Sequence, residues 1–168
     1  MLICQIWEKE GNMAYWFTTH WPPTADEGLK DSLGVWVKDE KQHIIKKVHK
    51  GDLVWIYECS SGKTIVQRNG KKGKFKRLQG RQGVIGLVKV IDTPSQDNSK
   101  EDIYRDGTSA LWSWYAPTKP MSLKGFIPRQ KAAQLLGYKE KYLFRIFGGL
   151  KEIDKISHRR LLEEFNIS

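Results

Sequence analysis

Cysteine is nearly missing from this chain: Cys4 and Cys59 are the only two in 168 residues. They stand far apart with no His or Cys at ligand spacing, which excludes a disulfide framework and gives no zinc signature. A reducing compartment suits such a chain. No run approaches the roughly 20 apolar residues that a membrane-spanning helix needs, and Met1 to Asn12 lacks the basic start and apolar stretch of a secretory signal. The expectation is a soluble, cytoplasmic protein. Clustered nuclease or metal motifs are also missing, so no metal and no cofactor are expected. Asp92, Asp97, Glu101, Asp102 and Asp106 lie among Pro94, Ser95, Asn98 and Ser99, and Asp92 to Gly107 reads as a solvated surface loop. His20, His43, His49 and His158 are scattered and read as surface or capping groups before catalysts.

What is abundant is positive charge and tryptophan. Lys and Arg total 29 against 19 Asp and Glu, a formal charge of +10. That excess points to a polyanion, nucleic acid first, because clustered cations gain affinity by releasing phosphate counterions. The 39% apolar content supports a folded core, and the length suits one domain. Met13 stands directly before a strand-like run, so the domain is taken as 13–168. Residues 1–12 are then an extension, or an extra strand through Ile3, Gln5 and Trp7.

Local patterns predict mostly strands. Ala14 to Thr18 is aromatic and β-branched and ends at His20-Trp21-Pro22-Pro23, where the prolines stop a sheet. Thr24 and Glu27 have capping-box spacing for a short helix from Ala25 to Lys30 that Gly28 weakens. In Val35-Trp36-Val37 the alternation puts Trp36 on the face opposite both valines. Gly51-Asp52 is a turn before Leu53 to Tyr57, and Val84 to Val90 is a second apolar strand. Thr64 to Arg68 and Lys74 to Leu78 flank Asn69-Gly70 as a protruding hairpin. Arg129 to Leu136 reads as a helix with Pro128 in its first turn and an Ala132, Ala133, Leu135, Leu136 stripe, stopped by Gly137. Ile156, Leu161, Leu162 and Phe165 mark a terminal helix, with Ser157 as its N-cap. The class is α+β, a twisted, barrel-like mixed sheet flanked by short helices.

Two features carry chemistry. No acidic residue occurs from Cys59 through Ile91, while Lys63, Arg68, Lys71, Lys72, Lys74, Lys76, Arg77 and Arg81 crowd the hairpin. Such crowding repels itself unless an anion neutralises it, so these eight are assigned to phosphate; protection of a sheet edge is the competing use. The tryptophans fall where strands end. Trp16 and Trp55 read as core, whereas Trp36, Trp112 and Trp114 are balanced between core and pocket lining.

Tyr15-Trp16-Phe17, the turn with Pro22, Gly34-Val35-Trp36, Gly51-Asp52-Leu53-Val54-Trp55-Ile56-Tyr57 and Val84-Ile85-Gly86-Leu87-Val88 together resemble the EVE domain. That domain belongs to the PUA-like superfamily and is related to the YTH domain. The second half, around Trp112-Ser113-Trp114-Tyr115 and Gly125-Phe126-Ile127-Pro128, is similar more loosely. The resemblance implies a non-catalytic reader that flips a modified base, a modified cytosine or methyladenine, into an aromatic cage, in DNA before RNA. It implies Trp36 as one cage wall and Trp112, Trp114 or Tyr115 as another. Thr18, Thr19, His20 and Trp21 would lie toward the base edge. Relatives also act as specificity modules beside nucleases in restriction and defence, which makes a separate nuclease or effector a partner to expect. The long basic hairpin departs from the minimal pattern. Two alternatives stand beside the reader: an RNA-binding PUA-like adaptor without a cage, and an ASCH-like hydrolase using Lys38, Thr18 and Glu58.

Overall fold

The structure is a computed structural model describing residues 12–27, 33–122, 124–140 and 149–167. The expected N-terminal strand through Ile3, Gln5 and Trp7, and the helix beyond Glu27, lie outside the described residues. The strands, in chain order, are β1 (Tyr15–His20), β2 (Val35–Val37), β3 (Leu53–Glu58), β4 (Ile65–Arg68), β5 (Lys71–Phe75) and β6 (Gly83–Val90). They continue with β7 (Ser95–Tyr104), β8 (Ser109–Ala116), β9 (Thr118–Ser122), β10 (Ile127–Pro128) and β11 (Leu150–Ile153). A 3-10 turn over Asp39–Lys41 leads into α1 (Gln42–Ile45), and α2 (Arg129–Leu135) and α3 (Lys155–Ile167) follow later.

The strands divide between two sheets in a mixed α+β arrangement. One runs β10-β6-β3-β1-β11, with β9 also on β6, and the other runs β2-β8-β7-β4-β5. β1 and β3 are parallel neighbours at the centre of the first sheet, and the other pairings are antiparallel. Period-two alternation explains why both must be so apolar. From β3, Leu53, Trp55 and Tyr57 join Phe17, Ala132, Ala133, Leu161 and Phe165 beneath α2 and α3. Val54 and Ile56 face the other way, with Trp16, Val35, Val37, Ile45 and Val88. A strand covered on both sides admits a polar residue only where it finds a partner, as the buried Thr18 does in the Gly149 carbonyl.

Polar anchors fix the ends. Asp52 is buried, and its carboxylate accepts from Ala14 N at 3.0 Å, Trp16 Nε1 at 2.9 Å and His49 N at 2.9 Å. Trp55 Nε1 donates to His158 Nδ1 at 3.1 Å, and the Tyr15 ring stacks on that imidazole with centroids 4.0 Å apart. His158, read from the sequence as a surface or capping group, is therefore interior.

Three other expectations change. The segment read as a loop contains β7, which is held between β8 and β4. Asp97, Asn98 and Ser99 sit where its register against β8 shifts, so turn-forming residues occupy a bulge inside a strand. The N-cap of α3 is Asp154, whose Oδ1 accepts from Ser157 N at 2.6 Å, so Ser157 stands in the first turn. Ile156, assigned to the apolar stripe of that helix, is exposed. The helix after Pro128 and its Gly137 stop, at φ +74°, follow the sequence pattern.

Burial, with a smaller push from the Arg159 charge, takes the His158 pKa from 6.5 down to about 4. The folded state keeps the ring neutral, while the unfolded chain protonates it below about pH 6.5. The stabilisation is complete above that pH and declines toward pH 4, by up to roughly 3 kcal/mol. Urea unfolding across this window should show the decline, and His158→Gln, which keeps an acceptor for Trp55, should flatten it. An unchanged profile in the variant would rule out His158 as the source.

Candidate functional site

Where β1 and β3 run out at their C-terminal ends, the chain opens a cleft toward the second sheet. Its volume is about 500 Å³, within the range of small-molecule sites. Thr19, His20 and Trp21 enter from the end of β1, Glu58 and Cys59 from the end of β3, Trp36 from β2, Lys100 and Asp102 from β7, and Trp112 from β8. The alternation in Val35-Trp36-Val37 produces the Trp36 wall. Both valines enter the core between the sheets, and the tryptophan goes to the opposite face, where its ring lies 4.4 Å from that of Tyr115.

Each indole also has a cation near its face. Lys100 Nζ is 5.4 Å from the Trp36 ring, Lys38 Nζ 5.9 Å from Trp112, and the Arg77 guanidinium 5.1 Å from Trp21. Trp21 is 36% exposed and meets Tyr104 edge-on at 5.5 Å. Gly62 makes this seat: a Cβ there would stand 2.6 Å from Trp21 Cγ, closer than carbon atoms approach.

Behind the cleft, Arg68 is taken up internally. Its Nε donates to Asp102 Oδ1 at 2.8 Å, Nη2 to Glu27 Oε1 at 2.9 Å and Nη1 to Thr24 Oγ1 at 2.8 Å. Glu27 also accepts from Thr24 N at 3.2 Å, which is half of the predicted capping box, and lies 3.7 Å from Lys100 Nζ. Burial works against the Arg68 charge, but hydrogen bonding to Asp102 and the charges of Asp102, Glu27 and Asp26 prevail, and its pKa is raised. This corrects its assignment to phosphate: all three guanidinium nitrogens are already engaged.

The hairpin forms about Asn69 and Gly70, both at positive φ (50° and 79°) as a tight two-residue turn requires. Lys71, Lys72, Lys74 and Lys76 are all exposed along it. The other expected phosphate ligands have internal contacts. Lys63 pairs with Asp106 at 2.9 Å, and Arg77 donates to the carbonyls of Lys63 and Pro22 at 2.9 and 2.8 Å. Arg81 lies over the Phe126 ring at 4.4 Å while remaining exposed. Lys74, Lys76, Arg77 and Arg105 line a second groove of about 480 Å³ on this side.

Of the expected cage residues, Thr19, His20, Trp21, Trp36 and Trp112 reach one cleft. Thr18 does not: it is buried, and its hydroxyl donates to the Gly149 carbonyl. Trp114 stands opposite Val37, and its Nε1 donates to Asp39 Oδ1 at 3.0 Å. Tyr115 backs Trp36 and does not line the cleft. The Lys38, Thr18 and Glu58 set is likewise not assembled, since only Lys38 and Glu58 line the cavity. Sequence reasoning missed the cleft positions of Lys100 and Asp102 because their segment was read as a loop. No polarity alternation marked the strand: Lys100, Asp102 and Tyr104 share its more buried side although two of them are charged.

The sequence matches no known family pattern and no curated protein. Its backbone is similar to that of human THYN1, solved in complex with DNA containing 5-methylcytosine. The TM-score is 0.51 at 12% identity, over 89% of this chain and 96% of that one. A second similar structure is the NMR structure of Rpa0253 from Rhodopseudomonas palustris, with a TM-score of 0.49 at 13% identity, over 92% of this chain and 94% of that one. The chain therefore shares the fold of human THYN1. In this chain packed strands and the Arg68 clasp form the wall of the cleft. Arg68→Ala would leave the buried Asp102 without its cation and Glu27 with Lys100 alone, at a cost of about 3–5 kcal/mol. A urea-derived stability within about 0.5 kcal/mol of the parent protein, the scatter of an ordinary surface substitution, would refute the clasp.

Proposed function

We propose that this EVE-like protein is a non-catalytic DNA-binding module that draws one modified base out of the duplex and holds it in the cleft. The observation that carries this reading is the convergence of Trp21, Trp36 and Trp112, from distant parts of the chain, on one open cavity that shares Arg77 with the groove of the lysine-rich hairpin. The fold it shares with human THYN1, solved with 5-methylcytosine DNA, supports it. Extruding a base costs a few kcal/mol. Stacking returns about 1–3 kcal/mol per base, and a buried methyl adds roughly 0.8 kcal/mol. The balance is close enough for a single modification to tip it.

Lys71, Lys72, Lys74 and Lys76 supply affinity through phosphates without reading sequence. Thr18, which a hydrolytic set with Lys38 and Glu58 would need, is buried with its hydroxyl on the Gly149 carbonyl and stays out of the cleft. Such a module acts in the cytoplasm and passes its signal to a separate nuclease or effector.

The test compares duplexes that differ by one modified cytosine. Trp36→Ala should abolish preference for the modified duplex, and the less buried Trp112→Ala should reduce it. Changing Lys71, Lys72, Lys74 and Lys76 to Glu should weaken both duplexes equally and lower the salt slope by about 0.9 for each phosphate no longer neutralised. If Trp36→Ala weakened plain and modified DNA alike, the cleft would not be the reading site.

A further inference from the structure

If the cleft holds a modified base, and the inference rests on that reading, it must distinguish the two methylated pyrimidines. Thymine and 5-methylcytosine share the pyrimidine skeleton and the 5-methyl group; thymine carries a carbonyl acceptor at position 4 and an N–H at position 3, 5-methylcytosine an amino donor at position 4 and an acceptor nitrogen at position 3. Indole walls and a methyl-sized space accept both. Because thymine is everywhere in DNA, a reader of methylated cytosine needs a group that accepts from an amino and repels a carbonyl.

Among the described residues, four carboxylates line the cleft: Glu27, Glu40, Glu58 and Asp102. Asp102 and Glu27 are neutralised by Arg68, and Glu27 also by Lys100. Glu40 is exposed. Glu58 differs from all of these. It is 8% exposed, and among the described residues no cation lies within ion-pair range of it. It stands at the last position of β3, just past the register shift at Ile56 and Tyr57, where an irregular strand re-aims its side chains. Its Oε1 accepts from Arg81 N at 2.8 Å. A carboxylate has about four acceptor sites and no donor, so Oε2 remains for a ligand.

We infer that Glu58 is the base-edge reader of the cleft, accepting a hydrogen bond from the exocyclic amino group of the bound base and excluding keto bases such as thymine. A buried carboxylate without a cation is costly, which suits a group whose donors arrive with the ligand. The backbone N–H of Arg81 also fixes the outcome of a substitution. In Glu58→Gln that N–H keeps the amide oxygen in place, which turns the amide N–H toward the cleft and favours a carbonyl.

The experiment places 5-methylcytosine, cytosine, thymine or 5-methylpyrimidin-2-one opposite an abasic site in one duplex, so that extrusion costs are matched, and measures binding by tryptophan fluorescence. The parent protein should prefer 5-methylcytosine over thymine, and over the pyrimidinone that lacks the amino group, on the order of tenfold. Glu58→Gln should lose or invert the preference over thymine, and its preference for 5-methylcytosine over the pyrimidinone should fall to about twofold or less. Equal parent affinity for 5-methylcytosine and the pyrimidinone would overturn the role of Glu58 without any variant needing to fold. So would an undiminished preference over thymine in Glu58→Gln. A protein that prefers 5-methylcytosine over cytosine but fails these tests retains the reader function and loses only this inference. Indifference between 5-methylcytosine and cytosine removes the methyl reading itself.

Discussion

One guanidinium organises the charge of this molecule. Arg68 leaves the hairpin strand β4, turns inward, and binds Asp102 on β7 together with Glu27 and Thr24 on the segment after β1. Three stretches distant in sequence are thereby joined behind one cleft. Two of that cleft's acidic groups are neutralised by the same contact, which leaves Glu58 and the exposed Glu40 as its other described carboxylates, beside the cations near the indoles. A planar fork whose donors point in fixed, widely separated directions suits this role, whereas the compact ammonium of a lysine has three donors on one atom and could not span partners so far apart.

The site lies where it does because the first sheet is covered on both faces. β1 and β3 bury alternate side chains beneath α2 and α3 on one side and against the second sheet on the other. Along most of their length there is no room for a ligand. Only at their C-terminal ends, past His20 and Glu58, does the packing part and leave space between the sheets. Residues with side chains able to form hydrogen bonds then replace the apolar run, and the rigid strands behind them hold their positions.

The cations of the hairpin region fall into two groups. Exposed lysines on β5 form an interrupted row that solvent reaches. The arginines, with Lys63, engage carbonyls, carboxylates and rings of the protein itself. Long-range attraction of a polyanion and local stiffening of the cleft wall are thus divided between two residue types. Arg77 belongs to both surfaces, lining the cleft and the groove beside the hairpin.

Local periodicity was enough to read β1, β3, β6, the helix after Pro128 and the turn at Asn69-Gly70, because each depends on neighbours a few residues away. It also placed Trp36 opposite its flanking valines, which is the geometric origin of the cleft wall. It could not show that Ser95–Tyr104 is a strand, since those polar residues are extended by pairing with β8 and β4 and not by preference of their own. Nor could it separate Trp112 from Trp114, or Arg68 from the lysines that follow. Residue type and spacing are the same for a cation facing solvent and one facing a carboxylate; which it becomes depends on strands brought together from more than thirty residues away. The sequence by itself determined the class of fold and the supply of indoles and positive charge. Tertiary structure alone decided which of them face the cavity, because burial and partnership are properties of the assembled sheets.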